Sequence, residues 1–443
     1  MFEPHSSSVR LSASPSSDLR GITVVPGDKS VSHRALIIGG LAHGETLIKG
    51  LLESEDVLRT AEALRDFGVQ VLRHGKGQWS VIGQPWCSPE SPIDCGNSGT
   101  TARLMLGAMA GFPIQAEFTG DASLRTRPMD RVFQPLRRMG LLSNPPKPMH
   151  LPVQVKGRQL FGIRHLNRHA SAQVKSAILL AGLQSLDDLE VVEPYPTRDH
   201  SERMLKWFGC DIRTRQYAGE TVISLGDKRS LRGTQVQVSG DPSSAAFPLV
   251  AALLTPGSDV TIENVMVNPF RTGLFKTLLE MGADLKIYPR GFLGGEPIAC
   301  IRARYSSLKA ARVPAARAPA MIDEYPLLSV AAAFASGMSV FKGLGELRFK
   351  ESDRLSAILD GLNACKVRCE IIGDDLLIDG TGERVTGGCR IDSRGDHRIA
   401  MAFLTLGLAA KAPVEVSGAE MIATSFPDFV PLMRVLGADI AAP

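Results

Sequence analysis

The chain has 443 residues, more than one hydrophobic core usually organises, so at least two domains are expected. Its 44% apolar and 22% charged residues are ordinary for a folded globular protein and exclude a collagenous or largely disordered chain. Fifty Lys and Arg against 46 Asp and Glu leave only +4, and aromatics are only 6%, so neither a nucleic acid nor an anionic membrane surface is an expected partner.

From the N-terminus, residues 1–21 are rich in Ser and Pro without an apolar run, which excludes a signal-peptide core and predicts a frayed end. Next, the polar loop Pro26-Gly27-Asp28-Lys29-Ser30 opens onto an apolar helix at 35–41. The same theme returns at Gly96-Asn97-Ser98-Gly99-Thr100 before 102–110, and at Ser171-Ala172-Gln173 before 177–183. It appears again at Gly240-Asp241-Pro242-Ser243-Ser244 before 245–254, at Ile322-Asp323-Glu324 before 326–335, and at Gly395-Asp396-His397-Arg398 before 399–409. The markers Ser30, Ser98, Ser171, Ser243, Asp323 and Asp396 lie 68, 73, 72, 80 and 73 residues apart.

Interleaved with these loops, amphipathic stretches close on Leu-x-x-x-Gly at Gly68, Gly140, Gly209 and Gly282 and on a Met-led version at Gly437, while Lys366 takes the Gly position in a sixth copy. Glycine ends a helix in the left-handed conformation without a Cβ penalty. Short apolar runs such as 69–72 then read as strands. Six units of roughly 72 residues, each with two helices and intervening strands, predict α/β layering, three units around each of two pseudo-threefold centres. Helices apolar on every side must be buried. Their N-termini, pointing one way, would offer unpaired N–H groups and positive potential to an anion.

Cations mark those helix starts: Lys29, Arg34, Arg103, Lys175, Arg198 and Arg398, with Arg125, Arg127, Lys350 and Arg354 in adjoining loops. Any one of them reads equally well as a solvated surface charge, but recurrence at one place in the repeat favours an anion site. Two acidic clusters sit among them, Asp323-Glu324 and Glu351 with Asp353. Asp323 reads either as a helix cap or as a proton acceptor. Gly27-Asp28-Lys29-Ser30 lacks the spacing of a phosphate-binding P-loop, and no third glycine completes a dinucleotide fingerprint. His165 with His169, and Cys365 with Cys369, lack further ligands, so no metal is expected. Seven cysteines, spread from Cys87 to Cys389, predict reduced thiols and a cytoplasmic protein. The most apolar stretches, 325–341 and 399–408, are too short or too interrupted to span a bilayer.

Read together with Asp323-Glu324-Tyr325-Pro326 and Lys350-Glu351-Ser352-Asp353-Arg354, the loops form seven motifs in order. They resemble the 3-phosphoshikimate 1-carboxyvinyltransferase (EPSP synthase) family of enolpyruvyl transferases from about residue 21 to residue 437. The resemblance implies an inside-out α/β barrel fold of six βαβαββ-type units, three per domain. A contiguous domain at 27–240 and a discontinuous one at 1–26 plus 241–443 would close on an interdomain cleft. It implies transfer of the enolpyruvyl group of phosphoenolpyruvate to the 5-hydroxyl of shikimate 3-phosphate, with release of phosphate by addition and elimination, in the shikimate pathway to aromatic amino acids. No metal or organic cofactor is implied and a monomer is expected; glyphosate inhibition is left open, because the motifs at 27–29, 171–175 and 198–202 resemble a glyphosate-tolerant subgroup.

By the same resemblance, Asp323, Glu351 and Lys29 carry the catalysis. Shikimate 3-phosphate would meet Lys29, Ser30, Arg34, Ser171, Ala172, Gln173, Arg198, Asp323 and Lys350. Phosphoenolpyruvate would meet Lys29, Gly99, Arg127, Gln173, Arg354 and Arg398. Asp323 would take the 5-hydroxyl proton, Glu351 would serve the methylene carbon, and Lys29 would protonate a departing oxygen. Thr424 stands where many members have Lys, and Phe270 precedes Arg271 where a glyphosate-tolerant subgroup has Thr. Gly99, where tolerant members often place Ala, leans the expectation towards sensitivity. A related transferase acting on UDP-N-acetylglucosamine is the nearest alternative, but its reactive Cys has no counterpart within 120–128. A non-catalytic scaffold binding phosphorylated metabolites is the other, against which the intact Asp323, Glu351, Lys29 and Arg354 weigh.

Overall fold

In a computed structural model, residues 9–147 and 149–443 are described. The α-helices follow in chain order: α1 (Lys29–Leu41), α2 (Glu55–Asp66), α3 (Gly99–Met109), α4 (Ala122–Thr126), α5 (Asp130–Met139), α6 (Ala172–Gly182), α7 (His200–Trp207), α8 (Pro242–Leu254), α9 (Gly273–Glu280), α10 (Tyr325–Phe334), α11 (Arg354–Ala364), α12 (His397–Ala409) and α13 (Phe429–Val435). The six Ala/Leu-rich helices, α1, α3, α6, α8, α10 and α12, are buried on nearly every side, as uniformly apolar helices must be. Close approach has a local cause at Gly107 in α3, where a Cβ would collide with the backbone of Ala177 in α6. Helices such as α5 are amphipathic instead, burying Val132, Phe133, Leu136 and Met139 on one face.

The described residues also form six four-stranded sheets with one recurring order. Ile93–Asp94 runs parallel to Gln115–Thr119; that strand is antiparallel to Val153–Lys156, which is antiparallel to Leu142–Asn144. One parallel pairing followed by an antiparallel hairpin recurs in three further sheets. Chain contacts divide the molecule into two units. One comprises the chain up to Pro26 with Gly240–Gly291 and Pro297–Pro443; the other comprises Gly27–Ser239 with the hairpin tip Phe292–Glu296.

Repeats that are regular in space need not be regular in sequence. The expected frayed end is corrected from Arg10 onward; residues 1–8 lie outside the described residues. Arg10–Ser14 pairs antiparallel with Val414–Ser417 on one side and Asp439–Ala441 on the other, while Arg20–Val24 pairs parallel with Asp259–Met266. Ladder hydrogen bonds from distant strands hold this polar segment, and Ala13 and Leu19 are fully buried. The Leu-x-x-x-Gly sites do take positive φ, at Gly68, Gly140, Gly209, Gly282 and Gly437. Lys366 adopts φ 65° in the copy without Gly, so the turn is kept at the cost of a strained non-glycine residue. Among the described residues, no helix is long and apolar enough to cross a membrane.

Candidate active site

In the unit built on Gly27–Ser239, three helix starts are tied together by polar side chains. Asp28 caps α1 by accepting from Val31 N at 2.8 Å, Ser98 caps α3 and Ser171 caps α6. Lys29 Nζ is ion-paired with the Asp56 carboxylate at the start of α2. A buried hydroxyl chain runs from His33 Nδ1 to Thr60 (2.7 Å), from Thr60 to Thr101 (2.7 Å), and on to the cap Ser98 (2.7 Å). Arg103 donates to Gln173 Oε1 at 2.9 Å, and Gln173 Nε2 donates to Thr100 Oγ1 at 3.0 Å, joining the starts of α3 and α6. Arg127, just after α4, donates to Asn97 Oδ1 at 2.6 Å. Gly99 is buried, and a Cβ there would lie 2.7 Å from Arg103 Nη1 and 3.5 Å from Arg127 Nη1.

Arg34 is 3% exposed, yet among the described residues its guanidinium donates only to neutral acceptors: Ser201 Oγ (2.8 Å), Ser176 Oγ (2.7 Å) and Ser30 O (2.9 Å). Burial pulls its pKa down to about 10, against the attraction of Glu202 and Asp28. Ser171, Ala172, Gln173 and Arg198 are half-buried, with Arg198 close enough to repel the Arg34 charge. Lys175 differs from the expected anion-facing cation. It is 1% exposed between Glu193 (3.0 Å) and Glu202 (2.7 Å), and those carboxylates raise its pKa although burial alone would lower it.

In the other unit, Arg354 at the start of α11 gathers three carboxylates. Its Nε donates to Asp396 at 2.8 Å, Nη1 to Asp323 at 3.3 Å, and Nη2 to Glu351. Arg354 is 1% exposed; burial disfavours its charge, but Asp396, Glu351 and Asp323 outweigh this and raise its pKa. Asp396 also caps α12 by accepting from Arg398 N at 2.9 Å. Arg398 Nη1 donates to Asp323 O at 3.3 Å and lies 3.9 Å from Glu324 Oε1. Glu324 accepts from Ser243 Oγ in α8, which also accepts from Arg271 at 2.9 Å. Lys350 is half-buried directly before Glu351.

Asp323 is not the cap of α10. It lies in the short 3-10 turn Ile322–Glu324; the cap position is Glu324, whose side chain makes no capping bond. The carboxylate of Asp323 faces Arg354 instead. Thr424 is 94% buried and donates to Met421 O at 2.7 Å, so its hydroxyl is spent locally. Cys365 meets Cys389 across 3.2 Å, not Cys369. Sequence reading missed Asp56, Asn97, Asn167, Glu193 and Glu202. An acid opening α2 reads as complementing the helix dipole, which hides Asp56.

Repeated α/β units whose buried helices begin in cations and carboxylates define an enolpyruvyl transferase fold. An enolpyruvyl transferase, NikO from Streptomyces tendae, superposes with TM-score 0.75 over 98% of this chain and 99% of its own at 18% identity, a likeness of fold alone. EPSP synthase from Acinetobacter baumannii superposes with TM-score 0.86 at 42% identity, covering 98% of this chain and 100% of its own. The 3-phosphoshikimate 1-carboxyvinyltransferase of Caulobacter vibrioides is 52% identical over 436 residues, 97% of this chain and 98% of that protein. Residues 13–433 match the family model described as EPSP synthase (3-phosphoshikimate 1-carboxyvinyltransferase), and the chain belongs to that family.

Proposed function

We propose that this chain transfers the enolpyruvyl group of phosphoenolpyruvate to the 5-hydroxyl of shikimate 3-phosphate with residues drawn from both units, the contiguous one near 27–240 and the discontinuous one near 1–26 plus 241–443. The observation that carries the assignment of roles is Arg354, whose one guanidinium bonds both Asp323 and Glu351. Ionised oxygens beside a fixed cation are proton acceptors at neutral pH. Asp323 takes the proton of the 5-hydroxyl as that oxygen attacks C2 of phosphoenolpyruvate, and Glu351, which enters this step protonated, delivers its proton to the methylene carbon and is left ionised. In the second step Glu351 removes a proton from the resulting methyl group, the C–O bond to phosphate breaks, and Lys29 protonates the departing oxygen.

Arg354 has little donor capacity left, since Nε and Nη2 also bond Asp396. One Nη1 hydrogen is left for an incoming phosphoenolpyruvate oxygen, and a second contact would take the place of a carboxylate and release it for proton transfer. Arg127, Arg398, Gly99, Gln173 and Lys29 complete the phosphoenolpyruvate side. Ser30, Arg34, Ser171, Ala172, Gln173, Arg198 and Lys350, with Lys29 and Asp323, hold shikimate 3-phosphate. Positioning and electrostatics supply most of the acceleration. The seven free thiols support a cytoplasmic setting. The absence of a side chain at Gly99 supports inhibition by glyphosate.

Phosphate release from phosphoenolpyruvate is the test. It is expected only when shikimate 3-phosphate is present; release driven by UDP-N-acetylglucosamine, or none with either acceptor, overturns the reading.

A further inference from the structure

Glu193 ends the strand Leu189–Glu193 and is 1% exposed. Its carboxylate nonetheless accepts four hydrogen bonds. Oε1 takes Asn167 Nδ2 (2.9 Å) and Thr197 Oγ1 (2.6 Å); Oε2 takes Thr197 N (3.2 Å) and Lys175 Nζ (3.0 Å). Each donor leads to a residue assigned above to shikimate 3-phosphate. Asn167, 3% exposed, grips the backbone of Ser171 on both sides, donating to Ser171 O at 3.1 Å and accepting from Ser171 N at 3.4 Å. Thr197 directly precedes Arg198, and its carbonyl also receives Lys175 Nζ at 3.5 Å.

Burying a carboxylate and an ammonium this deeply costs desolvation energy that an apolar residue at the strand end would avoid. What the carboxylate adds is direction, because fixed acceptor oxygens hold two loops in one geometry. We infer that Glu193 is a positioning residue for shikimate 3-phosphate, fixing Ser171 through Asn167 and Arg198 through Thr197. The inference rests on the reading of Ser171 and Arg198 as contacts of that substrate.

Steady-state kinetics on the full-length enzyme tests it. Glu193→Gln keeps the shape but turns an NH2 group either towards Lys175 and Thr197 N or towards Asn167 and Thr197 Oγ1. It should raise KM for shikimate 3-phosphate at least about tenfold, equivalent to ~1.4 kcal/mol, with KM for phosphoenolpyruvate and kcat within about threefold. Asn167→Ala removes the grip on Ser171 and one of the four hydrogen bonds to Glu193 but leaves the Lys175 ion pairs in place, so it decides the matter if the charged variant fails to fold. It should raise the same KM about three- to tenfold. A rise in both KM values together with a fall in kcat, or no rise in either variant, overturns the positioning role, since a merely structural defect does not select one substrate. Ser171→Ala and Arg198→Gln run alongside. If they too leave KM for shikimate 3-phosphate unchanged, the substrate assignment falls and the inference with it; if they raise it while the Glu193 and Asn167 variants do not, only the inference falls.

Discussion

Replacing Arg354 by Met keeps the aliphatic stem and removes the guanidinium that three carboxylates share. Asp396, fully buried, would then retain, among the described residues, only Ser352 Oγ at 3.2 Å and Arg398 N at 2.9 Å as hydrogen-bond donors. Removing one partner of a buried ion pair costs about 3–5 kcal/mol, because the other charge stays in a poor solvent. For a unit of 150–250 residues, each kcal/mol moves Tm by roughly 2–4 °C, so the transition of this unit should fall by roughly 6–20 °C in differential scanning calorimetry. Asp396→Asn in the same background removes the stranded charge while Asn still caps α12, so the double variant should be more stable than Arg354→Met alone. A Tm loss under about 2 °C, or a double variant less stable than the single one, would refute this account of the cluster.

Asp323→Ala should lower kcat about a hundred- to ten-thousandfold while KM for phosphoenolpyruvate stays within about threefold; initial-rate phosphate release measures both, and unchanged turnover removes the proposed base. Gly99→Ala should fold normally, because its Cβ meets only the mobile ends of Arg103 and Arg127. Displacing them should raise KM for phosphoenolpyruvate about five- to thirtyfold and weaken glyphosate inhibition more than that, read from inhibition curves at fixed substrate. His33 is held well below its ordinary pKa of 6.5, chiefly by burial and then by Lys29 and Arg34. The unfolded chain therefore takes up a proton below pH 6.5 that the native state refuses, and the His33 contribution to stability, present above 6.5, is lost as pH falls towards the folded value. Urea unfolding at pH 7 and pH 5 should show this slope, up to about 1.4 kcal/mol per pH unit, and His33→Asn should flatten it.

The repeat was legible because its signals are local. A capping residue, an apolar run and a left-handed helix end all lie within a few neighbours, so the six buried helices and their polar starts could be read from the chain. Lys366 shows the limit of that reading: the turn survives where the glycine does not. The N-terminal strand was illegible for the opposite reason. Its register is set by Ala13 opposite Val414 and Ile440, partners some 400 residues away, and nothing in its own Ser-rich composition announces a strand. The site divides in the same way. Its cations recur at fixed places in the repeat, but the acids that hold some of them do not. Glu193 and Glu202 stand 18 and 27 residues beyond Lys175, on a strand and on α7, with no spacing rule to connect them. The two meanings of Asp323, cap or acceptor, were separable only by where α10 begins and by the position of Arg354.

Burial and pairing together sort the cations that the sequence had left as one class. Arg354 and Lys175 are each 1% exposed and carry carboxylates, whereas Arg34, 3% exposed, has no carboxylate within ion-pair distance among the described residues. Arg34 bonds hydroxyls and a carbonyl while Glu202 and Asp28 attract it from beyond contact, so an anion there displaces no carboxylate. At Arg354 the same anion meets three carboxylates and one remaining N–H, so net affinity is smaller, but a carboxylate displaced by a second contact becomes a free base. Affinity for a phosphate and readiness for proton transfer are thus opposite uses of a buried arginine, and the number of carboxylates already on the guanidinium decides between them.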